Sequence, residues 1–224
     1  MRFSKKLLPV FILIILSTLP NLSQANDGEM LITYGHTDLR EGRAIVKNSG
    51  QVEAYGSTII KAYDNAVIKA HDKVSVEAYG NAIVYAYSNS TVKAFENVRV
   101  IASNDANVVA DGSVTVILSN TAKLKATGSC QITANDSSQV IASDNCYVVA
   151  TQNSDIKASG KVNVLAQGKA CVTATDDVSV KAYDKTVIIA SGDTKVEASG
   201  ESTVKATKSV KVELNGQAKL ETVK

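Results

Sequence analysis

Proline is almost missing from this chain of 224 residues: there are two, Pro9 and Pro20, and both lie in the first twenty positions. Past Pro20 nothing removes a donor from a backbone ladder, which suits continuous β-sheet. The same lack takes away a common guard against edge-to-edge pairing. Long apolar runs are equally scarce. The only one, Leu7 to Leu16, follows Arg2, Lys5 and Lys6 and precedes Ser23-Gln24-Ala25. Basic start, short apolar stretch and small residues at a cleavage position read as a secretory signal peptide over residues 1–25. The run is too short to span a bilayer, and no transmembrane segment is expected in the mature chain. With no cysteine beside the cleavage position, a lipid anchor is not expected. Without residues 1–25 the chain holds 21 basic and 22 acidic residues. No basic cluster stands out, so nucleic acid is not an expected partner.

Chemistry-bearing residues are few. His36 and His71 are the only histidines, far apart in sequence. No zinc spacing, phosphate loop or nucleophile elbow is present. The nine-residue calcium repeat does not fit the period described below. No catalytic residue, metal ligand or cofactor is assigned, and a non-enzyme is expected.

What the chain does have is one phrase repeated. Every eighth residue from Val52 is Ile60, Ile68, Val76, Val84, Val92 and Val100; two places later come Ala54, Ala62, Ala70, Ala78, Ala86, Ala94 and Ala102. The count continues to Leu220. A fixed short period over most of a chain marks a repeat architecture. Within each octad, five residues alternate with period two and a turn follows. Thr58, Ile60 and Ala62 share one face, while Ile59 and Lys61 point to the other. Turns such as Tyr63-Asp64-Asn65, Ser103-Asn104-Asp105 and Thr127-Gly128-Ser129 carry the residues that accept a left-handed backbone. Helical spacing is absent. No segment is long enough for a crossover helix, and the inward residues are too small for a wide sandwich core. The expected fold is an all-β, single-domain β-solenoid (β-helix) over residues 44–224, behind an N-terminal cap at 26–43. In that cap Met30–Tyr34 reads as a short strand, and Thr37 to Glu41 as a turn or one helical turn.

The number of octads per coil follows from residue size. Val98, Val114, Cys130, Cys146, Val162 and Val178 alternate with Ala106, Ala122, Ser138, Ser154 and Ala170. Large stacks on large and small on small only if a coil holds two octads, sixteen residues. About eleven coils at ~4.8 Å each make a rod on the order of 50 Å long.

That register places several candidates. Cys130 and Cys146 stack one coil apart, close enough for a disulfide in an oxidising compartment; two buried thiols is the other reading. Cys171 falls on an outward position, as a free thiol or a crosslink between chains. Tyr63, Tyr79 and Phe95 form one corner column, and Tyr55, His71 and Tyr87 the opposite one. Such rings either stack on sugars or stiffen the corners. Ile101, Ile117, Thr133, Val149 and Leu165 form an outward, mostly apolar stripe, either a docking surface or a ladder of β-branched residues stacked from coil to coil, opposite a face rich in lysine (Lys61, Lys93, Lys125, Lys157, Lys205). The octads run almost to the last residue, so an uncovered final coil is expected either to invite another chain or to fray.

Segments such as Ala54-Tyr55-Gly56-Ser57-Thr58 resemble the tandem octapeptides of bacterial ice-nucleation proteins, also read as solenoids of sixteen-residue coils. The outward pairs Ile59/Lys61, Val67/Lys69 and Arg99/Ile101 depart from that family's Thr-x-Thr rows. The chain also resembles polymer-forming bactofilin-type solenoids, and shares architecture and export with the solenoid heads of bacterial adhesins. Together these readings lead to an exported bacterial protein, periplasmic, cell-surface or extracellular. Its expected role is structural or adhesive, with itself (head to tail) or extracellular macromolecules as partners. The alternative is a carbohydrate-binding module using Tyr55, Tyr63, Tyr79, Tyr87 and Phe95.

Overall fold

The octad leaves each strand only four residues to bury before the chain must turn, and such strands gain a core only by stacking coil on coil. In the computed structural model, which describes residues 22–24 and 28–223, that is the arrangement. Successive strands alternate between two facing sheets, sheet A of fourteen strands and sheet B of twelve. Residues pair sixteen apart in parallel register, as in Val100↔Val116 on sheet B and Ala94↔Ala110 on sheet A. Two octads per coil are thereby established, in a solenoid of about 12 turns. Among the described residues no helix is long and apolar enough to cross a membrane.

Burial follows the alternation. In the strand Ile59–Ala62, Ile60 and Ala62 are buried and Ile59 is exposed. A third inward row comes from the residue before each strand, such as Val98, Val114 and Val162 beside sheet B. The large and small series lie on opposite sides of the core, as the size pattern requires. Each coil is thin, and its branched aliphatics contribute about 1.5–3 kcal/mol apiece when fully buried.

The corners explain the Asp, Asn and Gly. Asn104, Asn120, Asp136 and Gln152 occupy one corner position in successive coils, with φ of 58, 56, 57 and 57°. The side chains of Asn120, Asp136 and Gln152 also bind the previous coil. The Asn120 N–H donates to Asp136 Oδ2 at 2.9 Å, and the Asp136 N–H donates to Gln152 Oε1 at 2.7 Å. The opposite corner repeats this, Gly128 N–H donating to Asp144 Oδ2 at 3.1 Å. One residue thus accepts the bend and satisfies a backbone donor of the coil before it.

Stacking begins before the octads are recognisable. Strands β1 (Leu22–Gln24) and β2 (Met30–Ile32) pair antiparallel, and β2 then runs parallel to β4 (Arg43–Val46). Strand β3 (His36–Leu39) runs parallel to β5 (Gln51–Ala54). The expected turn at Thr37–Glu41 is corrected: Thr37 to Leu39 is strand and starts sheet B. The segment 26–43 therefore carries the first coil, which raises the number of coils above the expected eleven. Its register shows why the period missed it. Met30 pairs with Ala44 and His36 with Gln51, fourteen and fifteen residues apart, before the spacing settles at sixteen with Arg43↔Ile59. The remaining residues of the expected signal peptide lie outside the described ones.

Candidate functional site

The aromatic columns form as the sixteen-residue register requires, and the rings lie face to face. Tyr63 stacks on Tyr79 at 5.2 Å and Tyr79 on Phe95 at 5.0 Å, with interplanar angles of 9° and 14°. On the other corner Tyr55 stacks on His71 at 4.8 Å, and His71 on Tyr87 at 4.9 Å. Cations close the first faces: the Arg40 guanidinium sits 5.2 Å from the Tyr55 ring centre and the Lys47 ammonium 5.5 Å from that of Tyr63. A sugar needs a free ring face, and the middle rings offer only their edges. Replacing Tyr79 with Ala removes two stacked pairs. The expected cost is about 1–3 kcal/mol of stability, read in a urea titration, with no change in retention on immobilised glycans.

Around Tyr55 the structure assembles a polar cluster that sequence reasoning missed. Glu53 takes the Tyr55 hydroxyl at 2.8 Å, His71 Nε2 at 3.2 Å and Lys69 Nζ at 3.5 Å. The Tyr55 hydrogen bond, with the Lys69 charge behind it, holds the Glu53 carboxyl below its ordinary range despite some desolvation. The same bond pushes the Tyr55 phenol up. Next to Glu53 across the ladder, Asp38 pairs with His36 Nε2 at 2.9 Å. Ligand-capable atoms of His36, Asp38 and Glu53 lie within 4.8 Å of one another. Glu53 already has three donors, and we assign the cluster no metal. Both histidines thus reach one outer face, two coils apart. The irregular spacing of the first coil hid this from the period count.

The thiols sit where the count placed them. Cys130 and Cys146 are buried on stacked positions beside sheet B, and both are free. The Cys130 thiol donates to Thr127 O at 3.2 Å. Interaction with the Cys146 sulfur, and then burial, push the Cys130 thiol far up. Cys171, half-buried on the outer side of sheet A beside Asp155, is also raised, chiefly by burial. Thiol titration of native protein is expected to label Cys171 alone, and slowly, because the thiolate is the reactive form. Unfolding in denaturant should then expose all three thiols if Cys130 and Cys146 are reduced. If export has joined them, unfolding should expose only Cys171.

The outer faces of the two sheets differ. On sheet A, Lys61, Lys93, Lys125 and Lys157 recur on every second coil, alternating with Glu77, Val109, Ile141 and Thr173. Val109 and Ile141, isolated between lysines, are 44% and 52% exposed. On sheet B the ladder Tyr85, Ile101, Ile117, Thr133, Val149, Leu165 is unbroken. Each member is half-buried by its neighbours in the row. The adjoining outward row reads Ile83, Arg99, Thr115, Gln131, Tyr147, Asn163. Over six coils these two rows carry one charge, Arg99. A shallow groove of about 410 Å³ opens at their far end, lined by Tyr147, Asn163, Leu165 and Lys181 among others.

Among the described residues no coil stacks beyond the one at Lys211–Leu214 and Lys219–Thr222. Leu214 and Leu220 occupy inward positions of the repeat yet are 37% and 46% exposed, whereas Ala198 and Val204, one coil earlier, are 1% and 0%. Among the described residues their strands, Lys211–Leu214 and Lys219–Thr222, stand at the ends of sheets B and A, each paired on one side only. No family model, curated protein or solved structure matches the chain.

Proposed function

We propose that this protein is an exported, non-enzymatic structural or adhesive rod that extends by stacking one copy on the end of another. The observation that carries the reading is a pair of parallel strand edges, Lys211–Leu214 and Lys219–Thr222, each paired on one side only among the described residues. Two parallel strand edges with unpaired backbone groups lie side by side, over core positions held by Leu214 and Leu220. Such an edge is a template for further strands. Processing after Ala25 removes β1 and bares the outer edge of β2. A second copy then continues both sheets, its β2 on Lys219–Thr222 and its β3 on Lys211–Leu214, all parallel.

The sequence supports export through the signal-peptide pattern of residues 1–25. A non-enzymatic role is supported by the corners, which among the described residues stay short and mount no inserted loop. The alternative carbohydrate module would have to use the outer faces of Tyr87 and Phe95, on which no further ring stacks. The test is negative-stain imaging and light scattering of residues 26–224 over a range of concentrations. Rods longer than one chain, which measures roughly 55–60 Å, are expected. Replacing Leu214 and Leu220 together with Lys should leave single rods of unchanged circular dichroism. Single rods of the parent chain at every concentration would refute end-on assembly.

A further inference from the structure

From the outer face of sheet B we infer a second mode of self-association, closed at two copies. Two chains pack these faces together, antiparallel, about a two-fold axis that runs along the strands through Thr133. The argument is self-complementarity, which an isologous interface requires. Such an axis keeps each outward row facing itself and reverses the order of coils. Thr133 meets Thr133, Ile117 meets Val149 and Ile101 meets Leu165, apolar on apolar. Tyr85 then faces Lys181, an ammonium over a ring, and Lys69 faces Glu197.

The charged ends of the stripe lie at equal distances from Thr133: Lys69 is four coils before it and Glu197 four coils after. One coil further out the match ends, where Glu53 would face Glu213. A parallel pair about an axis along the rod sets each coil against its own copy and brings no lysine of one end to a glutamate of the other. In the antiparallel pair the strands of both copies run in one direction, the aligned geometry in which sheets pack ~10 Å apart.

Area agrees with a reversible complex. Nine coils of four-residue strands give a flat footprint of about 13 by 40 Å, roughly 500 Å² per copy, at the lower limit for specific association. The lysines on alternate coils of sheet A deter the same packing there. The association is independent of end-on growth, which is open-ended.

Sedimentation of residues 26–224 carrying the Leu214→Lys and Leu220→Lys changes isolates this mode from end-on growth. A monomer–dimer equilibrium is expected. Ile117→Lys with Val149→Lys, which sets lysines against one another, should abolish the dimer without altering circular dichroism. Lys69→Glu and Glu197→Lys should each weaken it roughly ten-fold, since the pair occurs twice by symmetry and becomes repulsive. Both changes together should restore it. In a Cys171→Ser background, Thr133→Cys should crosslink to itself through a short bis-maleimide, whereas Thr91→Cys on sheet A should not. A strict monomer, a dimer indifferent to these changes, or crosslinking at Thr91 in place of Thr133 would overturn the inference. So would a monomer retained on an insoluble polysaccharide through the same residues, which would make a glycan the partner.

Discussion

Replacing Gly128 with Val is expected to lower the unfolding free energy by roughly 3–5 kcal/mol, from backbone strain and overpacking together. Gly128 has φ of +86°, and a Cβ built on it would lie 2.8 Å from Gly112 N and 2.9 Å from Gly112 O. Both atoms are backbone and cannot swing aside. At this corner the strands Asn107–Gly112 and Lys123–Gly128 stay paired through the bend, which draws the two glycines together. A β-branched side chain meets a left-handed backbone and a filled space at once. Gly216 is the control. Its φ is +68°, but its nearest contact is 3.5 Å, and Val there should cost only the backbone strain, about 1–3 kcal/mol. Urea unfolding of the two variants side by side checks the contrast. Equal losses would mean that strain alone, without the close approach, sets the cost.

A second large effect comes from two adjacent residues. Val148→Asp puts a carboxylate between the sheets at a position that is fully buried, stacked between Ile132 and Val164. An unpaired buried charge costs about 3–5 kcal/mol or more. Val149→Asp, one residue on, lands on the outer face, where the lost packing on Thr133 and Leu165 should cost only about 1 kcal/mol. The sign with pH is definite. Burial raises the carboxyl of the folded Asp variant above its unfolded value, so the unfolded state releases its proton first. The penalty is therefore smallest below the ordinary carboxylate range and grows as pH rises through it. Denaturation of Val148→Asp at acid and neutral pH, each against the parent chain, reads this directly. Because each coil touches only its neighbours, the damage should be local. Hydrogen exchange should rise first in the coils around Ile132, Val148 and Val164, while distant coils keep their protection.

The same neighbouring-coil physics links the assemblies to the core. End-on growth adds strand partners to the edges at Lys211–Leu214 and Lys219–Thr222, which have none beyond them among the described residues. Lateral pairing covers an outer face that six coils leave nearly uncharged. Neither asks the rod to change shape.

Much of this fold was legible in the residues because the repeat is local chemistry restated about every eight positions. Alternation of Val and Ala with polar partners determined strand and face. Asp, Asn and Gly after each alanine determined the corner, since few residues accept a positive φ there. The size difference between Val98 and Ala106, sustained for several coils, determined two octads per coil. Those features need no knowledge of what lies across the core.

Tertiary structure alone decided the rest. The first coil closes at fourteen and fifteen residues, and no periodic count could see that Asp38 lies beside Glu53 or that both histidines reach one face. Spacing put Tyr63, Tyr79 and Phe95 in a column. Only the orientation of their rings showed that they cover one another's faces. The outward stripe was countable from Ile101 to Leu165, but its symmetry about Thr133 required the ladder to be followed out to Lys69 and Glu197. A period records which residues share an environment; which groups then meet depends on coil closure and side-chain direction, and those are settled only when the coils stack.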